Sequence, residues 1–317
     1  MKLIMAPMEG ITTYPLRNAF NQCFGGFDEY MSPFISPADK KPLKIKEAKD
    51  IEPENNKDIV LIPQVLTHKV KQFVKTAEAL SEKGYSEVNL NLGCPSGTVT
   101  AKGRGSGMLK DPDELERFLD QVFETLAEKG EEDKIQISLK TRIGFWSKEE
   151  WEWLLTIYNR FPVKELTVHP RLAVDMYKGM PDLDAFRHAY EHAKMPLVYN
   201  GDIRSKEDYD RIVSEFPEIS GIMIGRAVVS NPFLLEEIRT GNKVSFEDSK
   251  DKLKEYHDAV YSLYHESFQG NKNLLLRMKE FWVYLFASIQ PDKRLQKELL
   301  KAKDFNEYEM AVRVLFS

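Results

Sequence analysis

The sequence predicts an α/β protein, a (β/α)8 TIM barrel followed by a small C-terminal all-helical domain. Short apolar segments alternate with segments of helical spacing over about 240 residues, and the strand pattern stops after Pro232. Several apolar segments are nearly continuous in Val, Ile and Leu, which is typical of parallel strands buried on both faces. The eight predicted strands are Leu3–Ala6, Glu29–Ser32, Ile59–Val65, Glu87–Leu92, Ile135–Lys140, Glu165–His169, Leu197–Asn200 and Gly221–Gly225.

The segment Asp113–Lys129 has the clearest helical pattern, because its apolar residues fall on one face. Asp111 is its predicted N-cap, and Pro112 occupies the first helical position. The other helices predicted within the barrel are Pro15–Phe24, His68–Lys83, Lys148–Arg160, Leu183–His192 and Lys206–Phe216.

The barrel is expected to span residues 1–240, and the helical domain residues 245–317, with a linker near Arg239–Ser245. Three or four helices are predicted in the tail, within Phe246–Phe268, Asn273–Ile289 and Arg294–Leu315. Between Gln269 and Lys303 there are eight Lys or Arg residues and three Asp or Glu residues, although the whole chain has a net charge of −5. This basic cluster is either a solvated helix face or a surface that contacts an RNA backbone.

The composition is that of an ordinary globular protein, with 42% hydrophobic and 30% charged residues. No signal peptide and no apolar segment of about 18 residues is found, so a cytoplasmic protein without membrane spans is expected. Cys23 and Cys94 make no disulfide framework and are expected to be free thiols. His188 and His192 lack a third ligand, so no metal is predicted, and a monomer is expected.

Polar residues end most of the predicted strands, at the end of a barrel where active sites lie. Glycines after the last two strands allow backbone N–H groups to approach a phosphate, and Arg226 adds a charged donor. Gln64, Lys140, His169 and Asn200 suit a flat heterocycle. No Gly-x-Gly-x-x-Gly follows the first strand, which argues against a dinucleotide fold. These residues together favour a phosphorylated flat cofactor such as FMN.

Five segments then resemble the tRNA-dihydrouridine synthases in their order and spacing, and the resemblance covers the whole chain. The most specific of them is Asn91-Leu92-Gly93-Cys94-Pro95-Ser96, which precedes a glycine-rich loop. The others are Ala6-Pro7-Met8-Glu9-Gly10, Lys140-Thr141-Arg142, Asn200-Gly201-Asp202 and Gly225-Arg226-Ala227.

The resemblance implies an oxidoreductase that acts on a CH–CH bond. It would reduce uridine in tRNA to 5,6-dihydrouridine with FMN and with NADPH or NADH as reductant. Hydride would pass from flavin N5 to uracil C6, and Cys94 would protonate C5 as the general acid. The implied cofactor residues are Pro7, Met8, Gln64, Lys140, His169, Asn200, Gly201, Asp202, Gly225 and Arg226, and the implied substrate residues are Asn91, Arg142, Arg171, Arg277 and Lys279.

A general acid must hold its proton, and an ordinary thiol with a pKa of about 8.5 does so near neutrality. The glycine-rich loop Ser96–Leu109 is expected to close over the base as a lid.

Three other functions remain open at this point. They are reduction of free pyrimidines, as in dihydroorotate dehydrogenases, dihydrouridine synthesis on ribosomal RNA, and RNA binding without catalysis.

Overall fold

A computed structural model describes residues 1–131, 133–267 and 270–317 of the chain. Its strands are β1 (Lys2–Met5), β2 (Glu29–Met31), β3 (Leu61–Ile62), β4 (Gln64–Val65), β5 (Glu87–Leu92), β6 (Gln136–Arg142), β7 (Leu166–His169), β8 (Leu197–Tyr199) and β9 (Gly221–Ile224). The helices of the first 240 residues are α1 (Tyr14–Cys23), α2 (Ile45–Asp50), α3 (Val70–Ser81), α4 (Gly97–Thr100), α5 (Pro112–Glu128), α6 (Glu150–Tyr158), α7 (Leu183–His192), α8 (Lys206–Glu215), α9 (Arg226–Ser230) and α10 (Leu234–Thr240). Those of the tail are α11 (Phe246–Ser267), α12 (Asn271–Ile289), α13 (Lys293–Lys301) and α14 (Phe305–Phe316).

The strands form one parallel sheet in the order β3-β2-β1-β9-β8-β7-β6-β5-β4. Its two end strands are halves of a single barrel strand, because only Pro63 separates them. The first half pairs with β2, and the second half pairs with β5. Proline has no N–H to donate, but its carbonyl accepts a 2.9 Å bond from Asn89 N. The sheet therefore closes on itself, which confirms the predicted barrel.

Local sequence signals explain where α5 begins and which face it buries. The Asp111 carboxylate accepts a 2.9 Å bond from Glu114 N, and Pro112 is the first helical residue. Phe123 of the predicted apolar face is only partly buried and stacks on Phe161 with ring centroids 5.4 Å apart. The fully buried residues of this face are Leu115, Phe118, Leu119, Val122 and Leu126.

The described residues of the tail form four helices, and the predicted segment Arg294–Leu315 comprises two of them. The break between α13 and α14 is fixed by Asp304, whose carboxylate caps α14 by accepting a 3.0 Å bond from Glu307 N. The C-terminal limit predicted for the first tail helix, Phe268, lies outside the described residues. Helices α2, α4, α9 and α10 were not predicted, because each is seven residues or shorter and shows little periodicity.

The helical region packs directly on the barrel. The Tyr256 ring of α11 contacts the ring of Phe20 on α1 and that of Phe24, which follows α1, with centroids 6.2 Å and 5.1 Å apart. Buried residues of both regions belong to one continuous hydrophobic cluster. Among the described residues, no helix is long and apolar enough to cross a membrane.

Candidate active site

The C-terminal ends of the barrel strands surround a cavity of about 490 Å³. Nine of the ten residues predicted to bind a cofactor line it, and these are Pro7, Met8, Lys140, His169, Asn200, Gly201, Asp202, Gly225 and Arg226. Seven further lining residues were not singled out by any sequence pattern, namely Tyr177, Ile203, Arg204, Ser230, Asn231, Ala287 and Ser288. Ala287 and Ser288 belong to α12, so the tail supplies one wall of the cavity.

Lys140 reaches the cavity from β6. Burial, reinforced by the positive charge of Arg142, lowers the pKa of Lys140 to about 7. Within the described residues, its Nζ forms no hydrogen bond or ion pair. At neutral pH the Lys140 amine is therefore either neutral or charged without a partner. An electron-rich group in the cavity would favour the charged form.

His169 lies beside Lys140 and is buried at the end of β7. Burial and the neighbouring cations keep the pKa of His169 well below its ordinary value, so the imidazole is neutral at pH 7. Arg171 Nη1 donates to His169 Nε2 over 3.0 Å. Since arginine can only donate, the ring proton must sit on Nδ1. The His169 ring also lies against Tyr177, with centroids 6.0 Å apart.

Three arginines converge on Asp202 at one end of the cavity. Its carboxylate pairs with Arg171 at 2.7 Å, Arg204 at 2.9 Å and Arg226 at 3.3 Å. Burial opposes ionisation, but Arg171 and the other two cations hold the pKa of Asp202 below its ordinary value. One carboxylate against three guanidinium groups leaves a surplus of two positive charges. This end of the cavity therefore suits a phosphate dianion.

The two glycines predicted to approach a phosphate are both restricted by packing. A Cβ at Gly201 would lie 2.0 Å from the Tyr199 hydroxyl, and one at Gly225 would lie 3.2 Å from the Ala6 Cβ. A side chain at position 201 would collide with a buried tyrosine. Close packing of the strand ends thus accounts for Gly201 without a ligand.

Gln64 and Asn91 lie in the buried interior of the barrel rather than in the wall of the cavity. Asn91 Nδ2 donates to Gln64 Oε1 over 2.7 Å, and Gln64 Nε2 donates to Asn89 Oδ1 over 2.9 Å. Asn89 Nδ2 in turn donates to Ser138 Oγ over 2.9 Å. These side chains form one continuous hydrogen-bonded chain across β4, β5 and β6.

This chain of amides ends at Cys94. Asn91 Oδ1 accepts hydrogen bonds from the backbone N–H groups of Gly93 at 3.1 Å and Cys94 at 2.9 Å. Arg142 Nε donates to the Gly93 carbonyl over 2.9 Å. Burial raises the pKa of the half-buried Cys94 thiol. The thiol therefore keeps its proton at neutral pH, as a general acid requires.

The glycine-rich loop after Cys94 is folded against it. Ser106 donates from both its backbone N–H, at 3.1 Å, and its hydroxyl, at 2.9 Å, to the Cys94 carbonyl. A Cβ at Gly105 would lie 2.9 Å from that carbonyl, and one at Gly107 would lie 2.9 Å from Thr100 O. The glycines permit close packing in this conformation, while the lid motion remains a prediction.

The predicted substrate residues fall in different places. Arg142 and Arg171 are buried, and Arg142 Nη1 also donates to Leu172 O over 2.8 Å. Arg277 reaches the barrel mouth from α12 and donates to the Gly10 carbonyl over 2.8 Å. Lys279 donates instead to Ala302 O, between α13 and α14. The structure therefore brings Arg277, but not Lys279, to the cavity end of the barrel.

Comparison with known proteins decides the family. The model of the dihydrouridine synthase family, Dus, matches residues 4–315. The chain belongs to the dihydrouridine synthase family. It is similar to tRNA-dihydrouridine synthase B of Pasteurella multocida, with 26% identity over 326 residues, covering 100% of this chain and 93% of that protein. It is also similar to tRNA-dihydrouridine synthase B of Escherichia coli, with 28% identity over 244 residues, covering 75% of this chain and 71% of that protein.

Solved structures resemble the fold of this dihydrouridine synthase family member. An old yellow enzyme homologue from Zymomonas mobilis matches with a TM-score of 0.55 and 11% identity, covering 77% of this chain and 90% of that one. Morphinone reductase matches with a TM-score of 0.53 and 12% identity, covering 77% and 86%. At these identities the likeness concerns the fold alone, and it agrees with the predicted barrel.

Proposed function

We propose that this protein reduces uridine in tRNA to 5,6-dihydrouridine, with FMN as cofactor and NADPH or NADH as reductant. Family membership and the tRNA-dihydrouridine synthase B relatives support the reaction. The observation that carries the proposal is Cys94, a thiol held in its protonated form at the strand ends that also form the cavity. A barrel that only bound RNA would not need a proton donor at this position.

The described residues fit FMN. The three arginines around Asp202 suit its phosphate, and Ala6, Pro7, Met8 and Ile224 give the cavity apolar surface for a flat ring. Lys140 suits an electron-rich ring edge, because its charged form lacks any other partner among the described residues. When bound, FMN supplies the hydride that reduces the uracil ring.

The roles of the chain's own residues follow from their geometry. Cys94 delivers the proton. Asn91 positions Cys94 by accepting a hydrogen bond from its backbone N–H. Neutral His169 keeps its Nδ1 proton available for a hydrogen bond to an acceptor, because Arg171 occupies Nε2. Positive charge at Lys140 stabilises negative charge that develops beside it during the reaction.

The proposal places the basic tail on the tRNA and the enzyme in the cytoplasm as a monomer. What supports this placement is the excess of Lys and Arg in the tail and the position of Arg277, which reaches the barrel mouth at Gly10 while paired with Glu280. A monomer is sufficient because α12 of the same chain already closes the cavity. The choice of tRNA over ribosomal RNA depends on the relatives.

The deciding experiment combines a spectrum with a product assay. The purified protein is expected to show flavin absorbance, or to gain it on addition of FMN. With NADPH it should form dihydrouridine in tRNA from cells that lack this gene, while free uridine should react far more slowly. A protein that binds no flavin would contradict the proposal. So would a protein that reduces free uridine at the same rate as uridine in tRNA.

A further inference from the structure

The mouth of the barrel exposes two large aromatic side chains that the proposed chemistry does not use. Trp146, after β6, is 56% exposed, and Tyr177, after β7, is 51% exposed. Their loops are hydrogen-bonded to each other, since Ala173 N donates to Gly144 O over 3.0 Å and Val174 N donates to Phe145 O over 3.2 Å. Exposed apolar side chains on two adjoining loops are a feature of interaction surfaces. The other exposed apolar residues on the β7–α7 loop are Val174, Met176 and Met180.

The loop that carries Trp146 is tightly built. The Glu150 carboxylate accepts bonds from the backbone N–H groups of Phe145 at 2.5 Å, Trp146 at 3.1 Å and Ser147 at 3.1 Å. Gly144 has a φ of 153°, and a Cβ there would lie 2.5 Å from Ser147 O. The fold thus fixes the backbone of a tryptophan whose ring stays in solvent. A partner that binds a side chain on such an ordered loop loses little conformational entropy in ordering the backbone.

Cations lie close to both rings. Lys110 Nζ is 5.7 Å from the centre of the Trp146 ring, and it lies 4.4 Å from that of Phe145. The guanidinium carbons of Arg226 and Arg142 are 4.4 Å and 5.4 Å from the centre of the Tyr177 ring. Aromatic faces beside Lys and Arg are the combination that binds unpaired nucleotides, because the bases stack and the phosphates meet positive charge.

The position of this surface fits the same occupant. Tyr177 lines the cavity, and Lys110 is the last residue of a short 3-10 helix, Gly105–Lys110, whose Ser106 donates to the Cys94 carbonyl. Tyr177 therefore borders the site where the target base would lie, and Trp146 stands on the adjoining loop. Flipping a base out of a folded RNA leaves its neighbours partly unstacked. An exposed ring next to the site offers such a neighbour a new stacking partner.

We propose that Trp146, together with Tyr177, forms a stacking surface for an unpaired nucleotide of the RNA substrate next to the reduced uridine. This inference rests on the proposed function, because it takes RNA as the substrate. Trp146 is a binding residue in this proposal and takes no part in proton or hydride transfer.

The test compares Trp146→Ala with Trp153→Ala. Trp153 is a matched control, since it is 57% exposed but lies on the outer helix α6. The Kd for a tRNA transcript is measured by fluorescence anisotropy at fixed salt, and cofactor content and thermal melting report folding. Trp146→Ala should bind the transcript about 5- to 150-fold more weakly, the loss of one stacked base. Trp153→Ala should bind as the wild type does, and Trp146→Phe should restore most of the affinity.

Equal affinity of Trp146→Ala and wild type would overturn the proposal. So would a dimer in sedimentation that dissociates in Trp146→Ala, because the surface would then bind a second copy of the chain. Dihydrouridine formation by the wild type is measured separately. Failure of the proposed function appears there as missing product, whereas failure of the stacking surface appears as unchanged affinity.

Discussion

The side-chain oxygen of Asn91 accepts a 2.9 Å hydrogen bond from the backbone N–H of Cys94, three residues further along the chain. The same oxygen accepts from Gly93 N at 3.1 Å, and the Asn91 amide nitrogen donates to Gln64 at 2.7 Å. A residue inside the barrel thereby fixes the backbone that carries the thiol. The placement of the proton donor thus depends on the interior of the barrel as well as on the loop above it.

Replacing Asn91 should cost both stability and activity. Asn91→Ala leaves two N–H groups and the Gln64 carbonyl without their partner, and an unpaired buried polar group costs about 1–3 kcal/mol. The free energy of unfolding, measured in urea, should fall by an amount of that order, and dihydrouridine formation should fall with it. Asn91→Asp keeps the acceptor for Cys94 N and should retain more activity than Asn91→Ala. Equal activity of the two variants would argue against the positioning role.

Removing the Cys94 thiol should impair reduction of the tRNA but not reduction of the cofactor by NADPH. Cys94→Ala is expected to lower tRNA reduction roughly 10²–10⁴-fold, the usual value of general acid assistance. Cofactor content and its reduction by NADPH should be unaffected, because Cys94 does not line the cavity. Cys23→Ala is the control, since Cys23 is the second cysteine and is buried on α1. Wild-type product formation by Cys94→Ala would remove Cys94 from the role of acid.

The lowered pKa of Lys140 predicts a pH-dependent stability of the cofactor-free protein. Between pH 7 and the ordinary lysine pKa of about 10.4, the unfolded chain binds a proton at Lys140 that the folded chain does not. Stability therefore rises with pH across this window. Denaturation curves of wild type and Lys140→Met are recorded from pH 6 to pH 10. Above pH 7 the free energy of unfolding of the wild type should increase relative to that of the variant. Parallel pH profiles would contradict the low pKa.

The arginines around Asp202 predict a preference for a phosphorylated ligand. Arg226→Gln removes one of the three positive charges at that end of the cavity. It should weaken FMN binding about tenfold, as expected for one charge-assisted hydrogen bond, and leave riboflavin binding unchanged. The measurement is flavin fluorescence quenching with both ligands. Arg211→Gln is the control, because Arg211 is similarly exposed but pairs with Asp208 at 3.2 Å on α8. Equal losses for FMN and riboflavin would place the phosphate elsewhere.

The strands and the residues at their ends were predictable because both are local in the sequence. A run of apolar residues identifies a buried strand, and the residue that follows it lies at the barrel mouth whatever the loops do. Lys140, His169 and Arg226 were identified in this way, and all three line the cavity. Their roles in binding a cofactor remain predictions.

Contacts between distant segments left no such signal. Ser288 and Tyr177 reach the cavity through the packing of α12 and the course of a long loop, and neither lies in a recognisable pattern. The partners of Gln64 and Asn91 could not be predicted either, because both were expected to face a ligand. Side-chain direction inside a barrel depends on strand register, which the sequence does not state.

The hydroxyl of Ser288 on α12 donates a 2.5 Å hydrogen bond to the Ser230 carbonyl at the rim of the cavity. Arg277, on the same helix, is anchored at Gly10 across the barrel mouth. The single helix α12 thus contacts both the cavity proposed to hold the cofactor and the rim of the barrel near Gly10. Under the proposed function, exchanging the tail with that of a homologue is expected to change flavin retention as well as RNA binding, because α12 contributes to both surfaces.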